Sequence, residues 1–236
     1  MAKPTRSGVS WPLIGIVIIL AVLFIGGLMY MLTPKDVRSP LILTYPAASP
    51  LPFGVTDDGH PYLGKADAPV TFTEFADFQC PHCKQHNDVF AREIDKTFVE
   101  SGKAKLVWMT FPILGDGTAN DESVLASMAG YCALDQSKFW EMHDWLFENQ
   151  GVASNQGQFS TDRLRKIAER IGLDLKAWDA CMGGTEARDK ANKDGDRAKE
   201  LGIGSTPSFM VGDTIVEGTG QDKMSELAAA IDKPAQ

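Results

Sequence analysis

The spacing of apolar positions changes along the chain, and each spacing predicts a different element. From Trp11 to Leu32 they are nearly continuous, 22 residues without a charge. As a helix at ~1.5 Å per residue this run spans about 33 Å, enough to cross a hydrocarbon core. Residues 33–69 hold seven of the chain's 13 prolines and no sustained period, the pattern of an extended spacer, although Leu41, Ile42, Leu43 and Tyr45 offer it something to pack. Val70 to Phe78 is rich in β-branched and aromatic residues and reads as a strand, with Phe72, Glu74 and Ala76 on one face. Cys80 to about Glu100 follows with Val89, Phe90, Ile94, Thr97 and Phe98 near helical spacing. Lys103 to Ile113 reads as a second strand, with Val107, Met109 and Phe111 on one face. Strand, helix and strand in this order predict a parallel pair joined by a right-handed crossover.

From Asp121 to Leu201 the period is helical throughout. Val124, Met128 and Cys132 share one face, and Phe139, Met142, Leu146 and Phe147 share the next. Thr161 to Ile171, Leu175 to Met182 and Glu186 to Leu201 complete the block, with Gly172, Gly183 and Gly202 as terminators. Pro207 to Val211 and Thr214 to Glu217 flank a Gly212-Asp213 turn, an antiparallel hairpin, and Asp222 to Ile231 closes as a helix. The expected organisation is an α/β domain from 70–117 and 203–236, interrupted by a helical domain at 118–202.

Charge adds an address. The chain is net −8, and setting aside Lys3 and Arg6, the only charged residues ahead of the apolar run, leaves −10, which argues against nucleic acid as a partner. Lys3, Arg6 and the terminal amine bias 1–10 toward the cytoplasm, and Trp11 and Tyr30 stand near the ends of 11–32 as interfacial aromatics do. The run is long for a signal peptide and no clear small-x-small site ends it, so 11–32 reads as an uncleaved anchor.

All four cysteines follow the apolar run. Cys80-Pro81-His82-Cys83 stands where the first strand turns into its helix. A sulfur at the start of a helix lies beside unpaired backbone N–H groups, which favour a thiolate. Cys83, one turn on, can close a ring with it or resolve a mixed disulfide. Pro81 suits the first helical position, where its missing N–H is not needed. His82, if cationic or donating a hydrogen bond, further favours the thiolate and so the reduced form, which makes the disulfide a stronger oxidant. Against this stand a structural bridge, for which so short a loop is a poor staple, and a zinc site on Cys80, Cys83 and His86, which lacks a second CxxC or HxxxH pair. Asn192, Asp194, Gly195 and Asp196 hint at a calcium loop, but Lys190 and Leu201 hold its first and twelfth positions. His143 lies among core-like aromatics and reads as structural.

A βαβ unit bearing Phe75-Ala76-Asp77-Phe78-Gln79-Cys80-Pro81-His82-Cys83, a helical insertion, and a late hairpin entered through Gly202-Ile203-Gly204-Ser205-Thr206-Pro207-Ser208-Phe209 together resemble the thioredoxin fold. The long insertion resembles the DsbA-like family of extracytoplasmic thiol–disulfide oxidoreductases, from about residue 60 to the C-terminus. The resemblance implies that Cys80 is the exposed attacking cysteine, Cys83 the buried resolving one, and Pro207 a cis-proline facing them. It also implies that Thr206 offers its backbone to an extended substrate, and that Glu74 is a buried acid moving protons to and from Cys83. Burial of Glu74 would raise its pKa.

Cys132 and Cys181 lie outside this pattern. Both could be inert buried thiols, but in an oxidising compartment an even pair is more often bridged. Some DsbA-like proteins that work with vitamin K epoxide reductase-like membrane oxidases are similar in this respect. The family implies reduced exported proteins as substrates, reoxidation by a quinone-linked membrane oxidase of DsbB or vitamin K epoxide reductase type, a monomer, and no metal or organic cofactor. Thr206 also occurs in the reductase and isomerase branches and leaves the direction open. His82, together with only an anchor and linker where the isomerases resemble dimers with a dimerisation domain, turns the expectation toward oxidation. A membrane-anchored reductase or isomerase, and a non-enzymatic metal-binding or holdase module, are the alternatives.

Overall fold

The computed structural model describes residues 15–16, 18–25, 41 and 51–233. The chain divides into two units, Met1–Val37 and Arg38–Gln236. In the first, residues 15–16 and 18–25 are helical with exposed side chains. Among the described residues no helix is long and apolar enough to cross a membrane; the remainder of the expected span 11–32 lies outside them.

The second unit is built on a six-stranded sheet. Its strands are β1 (Phe53–Val55), β2 (Pro61–Leu63), β3 (Val70–Ala76), β4 (Ala104–Thr110), β5 (Ser208–Val211) and β6 (Thr214–Glu217), in the order β1-β2-β4-β3-β5-β6. β3 and β4 pair in parallel from Val70 opposite Ala104 to Ala76 opposite Thr110, and every other pairing is antiparallel. The crossover between them is one helical run, α1, through Pro81–Gln85, His86–Phe90, Ala91–Ile94 and Asp95–Val99, of which the second and fourth stretches are wound as π-turns.

The spacer expected over 33–69 does not extend to its far end. From residue 51 the chain enters the sheet, and β2 pairs with β4 through Tyr62 opposite Val107. Three-residue strands are too short for alternation to register in the sequence, and the prolines at 52 and 61 stand where no ladder donor is required. Between the two strands His60 is buried, its Nε2 2.9 Å from Asp194 Oδ1. Asp194 also accepts from Tyr131 Oη. The acidic stretch that hinted at a calcium loop is thus a helix whose aspartate faces inward.

The inserted helices are α2 (Glu122–Leu134), α3 (Phe139–Glu148), α4 (Thr161–Arg170), α5 (Leu175–Gly183) and α6 (Glu186–Glu200), and α7 (Gln221–Ile231) closes the chain. Asp121 caps α2 by accepting from Val124 N at 3.1 Å, and Asp174 caps α5 through Lys176 N and Ala177 N, which satisfies amides that the first turn leaves unpaired. Gly172 and Gly202, at φ +75 and +78, end α4 and α6 with the reversed turn that L-residues resist. α5 ends at Gly183, as expected, with Gly184 as its cap and without a reversed turn.

Insertion and sheet share one core. Phe78, leaving β3, stacks on Trp108 of β4 at 5.1 Å and meets Phe147 of α3 at the same distance. His143 lies edge-on to Trp108 at 4.6 Å, among these aromatics as expected. The other sheet face, with Phe75 and Phe111, is covered by Ala198 of α6 and Ile203. With both faces covered, β3 is buried from Phe72 onward, and any polar side chain on it must be satisfied internally or stay neutral.

Candidate active site

The end of β3 and the start of α1 bring the thiols together. Cys80 is the cap residue of α1, extended at φ −74 and ψ 121, with Pro81 at the first helical position. Its N–H donates to Asp77 O at 2.9 Å, and its carbonyl accepts from Lys84 N at 3.1 Å. Cys83, one turn further on, is fully buried. Both thiols are free.

The Thr206–Pro207 bond is cis and brings the Thr206 carbonyl to 3.3 Å from Cys80 Sγ, which donates to it. The thiol of Cys83 donates to the Cys80 sulfur. With Thr206 and the N–H groups of Cys83 and His82, it holds the Cys80 pKa down to about 5 against the opposing effect of burial. Cys83 is pushed well above the usual thiol range, first by burial, then by its hydrogen bond to Cys80 and the charge there. Two neighbouring thiols driven apart in this way make one thiolate and one proton-holding partner, the division of labour that exchange requires.

Beneath them Glu74 is buried. Desolvation, and secondarily the charge of Asp95, raises its pKa to about 8, and its charge in turn pushes Cys83 up. His86 of α1, also buried, has Nε2 4.0 Å from Glu74 Oε2 and packs its ring 4.8 Å from Phe209. Desolvation lowers its pKa to about 4.

The sequence-selected residues converge, with two differences in detail. Cys80 is the more accessible thiol but only 6% exposed, because the Thr206 loop lies over it; the expectation of an exposed sulfur is corrected to that extent. His82 reaches the sulfur through its backbone N–H, while its side chain is exposed.

The sequence model of the family described as Thioredoxin matches residues 56–233. The chain belongs to this thioredoxin family. It is 28% identical over 174 residues to the probable disulfide bond formation protein D of Bacillus anthracis, covering 72% of this chain and 76% of that protein. Among solved structures, oxidised BdbD of Bacillus subtilis superimposes with a TM-score of 0.64 at 26% identity, over 76% of this chain and 96% of that one. A thioredoxin-like oxidoreductase from Silicibacter pomeroyi gives 0.57 at 31% identity, over 73% and 90%. With the thiol pair in place, the thioredoxin-family domain is a DsbA-like thiol–disulfide oxidoreductase.

Away from this family's motif, Cys132 of α2 and Cys181 of α5 are joined, with Cα atoms 5.8 Å apart. Sequence reasoning missed the polar network that seats the motif. Asp77 is fully buried, accepting from Gln79 N at 2.8 Å, Leu114 N at 2.9 Å and Ser123 Oγ at 2.8 Å. Burial raises its pKa to about 6 against the lowering effect of those donors. The signal available was an aspartate inside an otherwise apolar strand exit, since such a carboxylate must find donors. Those donors lie up to 46 residues away, beyond any local pattern.

Proposed function

We propose that the domain works outside the cytoplasm as an oxidase, donating the Cys80–Cys83 disulfide to reduced, partly folded exported proteins. The stabilised Cys80 thiolate carries this reading: a pKa of about 5 favours the reduced form, and a favoured dithiol makes an oxidising disulfide. The disulfide-forming relatives support it, and the Cys132–Cys181 bridge fits an oxidising compartment. Residues 11–32 anchor the chain with its N-terminus in the cytoplasm, and the protein acts as a monomer.

In this mechanism a client thiolate attacks Cys80 Sγ. The intramolecular S–S bond breaks, and Cys83 leaves as a thiolate that takes up a proton, for which Glu74, protonated at neutral pH, is the donor. Thr206 pairs its backbone with the extended client, since its carbonyl is free of the Cys80 S–H once that sulfur is in a disulfide. A second client thiolate attacks the client sulfur of the mixed disulfide, forms the client disulfide and expels the Cys80 thiolate. Two electrons have then passed to the enzyme. A quinone-linked membrane oxidase of DsbB or vitamin K epoxide reductase type takes them and restores the Cys80–Cys83 bond.

Equilibration with glutathione tests the direction. A potential above ~−200 mV is expected; one well below it, nearer thioredoxin, overturns the oxidase reading in favour of a reductase or isomerase.

A further inference from the structure

The loop that follows α3 brings the helical insertion onto the CxxC turn. Gln150 Nε2 donates to Phe78 O at 2.8 Å and to Cys80 O at 2.9 Å. Five residues on, Asn155 N donates to Gln79 Oε1 at 2.7 Å, and Asn155 Oδ1 accepts from Gln79 Nε2 at 3.0 Å. Three consecutive residues ending in the nucleophile are therefore gripped by one loop.

We propose that Gln150 is a positioning residue for Cys80, setting the orientation of its sulfur by holding the carbonyls on either side of Gln79. Phe78 and Gln79 make the turn closed by the bond from Cys80 N to Asp77 O, and the Phe78 and Cys80 carbonyls both face Gln150 from it. One amide nitrogen bonded to both therefore ties that turn to the helix start, where Cys80 is held at φ −74 and ψ 121. The Cys80 carbonyl then serves Lys84 N from within the helix and Gln150 from outside, using both lone pairs. With that peptide fixed, the Cα–Cβ bond of Cys80 is aimed so that Sγ lies within reach of the N–H groups of His82 and Cys83. Gln150 does not touch the sulfur; it acts on the backbone that aims it. Asp77 and Ser123 hold the same turn from below, through Gln79 N at 2.8 Å and Gln79 Nε2 at 2.8 Å, whereas the Gln150 side chain bonds the carbonyl of Cys80 itself.

The inference rests on Cys80 being the attacking thiol, independently of the direction of exchange. The test uses the full reduced chain with Gln150→Met, which keeps the side chain's length and removes its donors, and with Val152→Gly as a control in the same loop, where Val152 is 96% exposed. Cys80 is titrated by the pH dependence of iodoacetamide alkylation, with peptide mapping to assign the sulfur, and glutathione equilibrium is read alongside. The expected result for Gln150→Met is a pKa of Cys80 raised by about one unit, a disulfide about tenfold less oxidising against glutathione, and an unchanged Val152→Gly. A folded Gln150→Met with both quantities within twofold of the parent overturns the proposal, as does an equal shift in Val152→Gly. Should Gln150→Met not fold, Gln150→Asn, which retains the amide but withdraws it by one methylene, is read by the same criteria. Alkylation of Cys83 ahead of Cys80 in the parent would instead refute the underlying assignment.

Discussion

Cys80 Sγ and the Thr206 carbonyl oxygen, 126 residues apart in sequence, lie 3.3 Å from each other across a cis Thr206–Pro207 bond. The contact places the Cys80 thiol beside the backbone that, in the proposed mechanism, pairs with an incoming peptide.

Attack and resolution divide between the two sulfurs. Cys83→Ala is expected to attack a substrate disulfide normally and accumulate the mixed disulfide, because no second thiol is left to release it. Cys80→Ala is expected to fall to background. Non-reducing electrophoresis after acid quenching reads both, and a trapped adduct on Cys83 in the Cys80 variant would invert the assignment.

The Cys80 thiolate makes the reduced form's stability depend on pH. Its folded pKa, about 5 against 9.0 for an ordinary thiol, is depressed, so the contribution is fully present above about pH 9 and declines as pH falls toward 5. Absorbance of the reduced chain at 240 nm should titrate with a midpoint near 5, and denaturant unfolding of the reduced form should show stability lost between neutral pH and that midpoint. A midpoint near 9 would remove the basis for an oxidising disulfide.

Glu74 acts in the opposite sense. Its pKa is raised from 4.5 to about 8, so the folded state holds a proton the unfolded state has released. Stability is greatest below pH 4.5 and falls as pH rises to about 8. Glu74→Gln should therefore be more stable than the parent at pH 7, by up to about 3 kcal/mol, with that part of the pH dependence flattened, while proton uptake at Cys83 slows. A variant less stable at pH 7 would contradict the raised pKa.

The bridge between α2 and α5 closes 49 residues. Replacing Cys132 and Cys181 together by alanine should cost on the order of 4 kcal/mol and leave the glutathione equilibrium of the Cys80–Cys83 pair unchanged. Denaturant midpoints and redox titration separate the two effects.

What the sequence disclosed follows the range over which its forces act. Val70 to Phe78, the helix behind it and the hairpin after Pro207 were legible because alternation and helical spacing are local. The thiols were legible because two residues between cysteines leave few other uses in such a turn. Phe53–Val55 and Pro61–Leu63 were not, since three residues carry no period and the pair joins the sheet only through β4, distant in sequence. Asp77, Gln79, Gln150 and Asn155 were equally silent: each is an ordinary polar residue until the fold places a donor opposite an acceptor up to 76 residues away. His60 and Asp194, 134 residues apart, belong to the same class.

The Cys132–Cys181 bridge poses a chemical question for a protein that carries an exchange-active pair of its own. Any copy with a thiolate at Cys80 is an agent that could scramble it. Cys132 is 1% exposed, whereas Cys181 is only partly covered, so a neighbouring copy can approach from one sulfur alone. Attack there expels the Cys132 sulfur into an apolar interior that disfavours a thiolate, and the intact bond is the outcome to which the exchange returns. The oxidoreductase is in this way a poor substrate for itself.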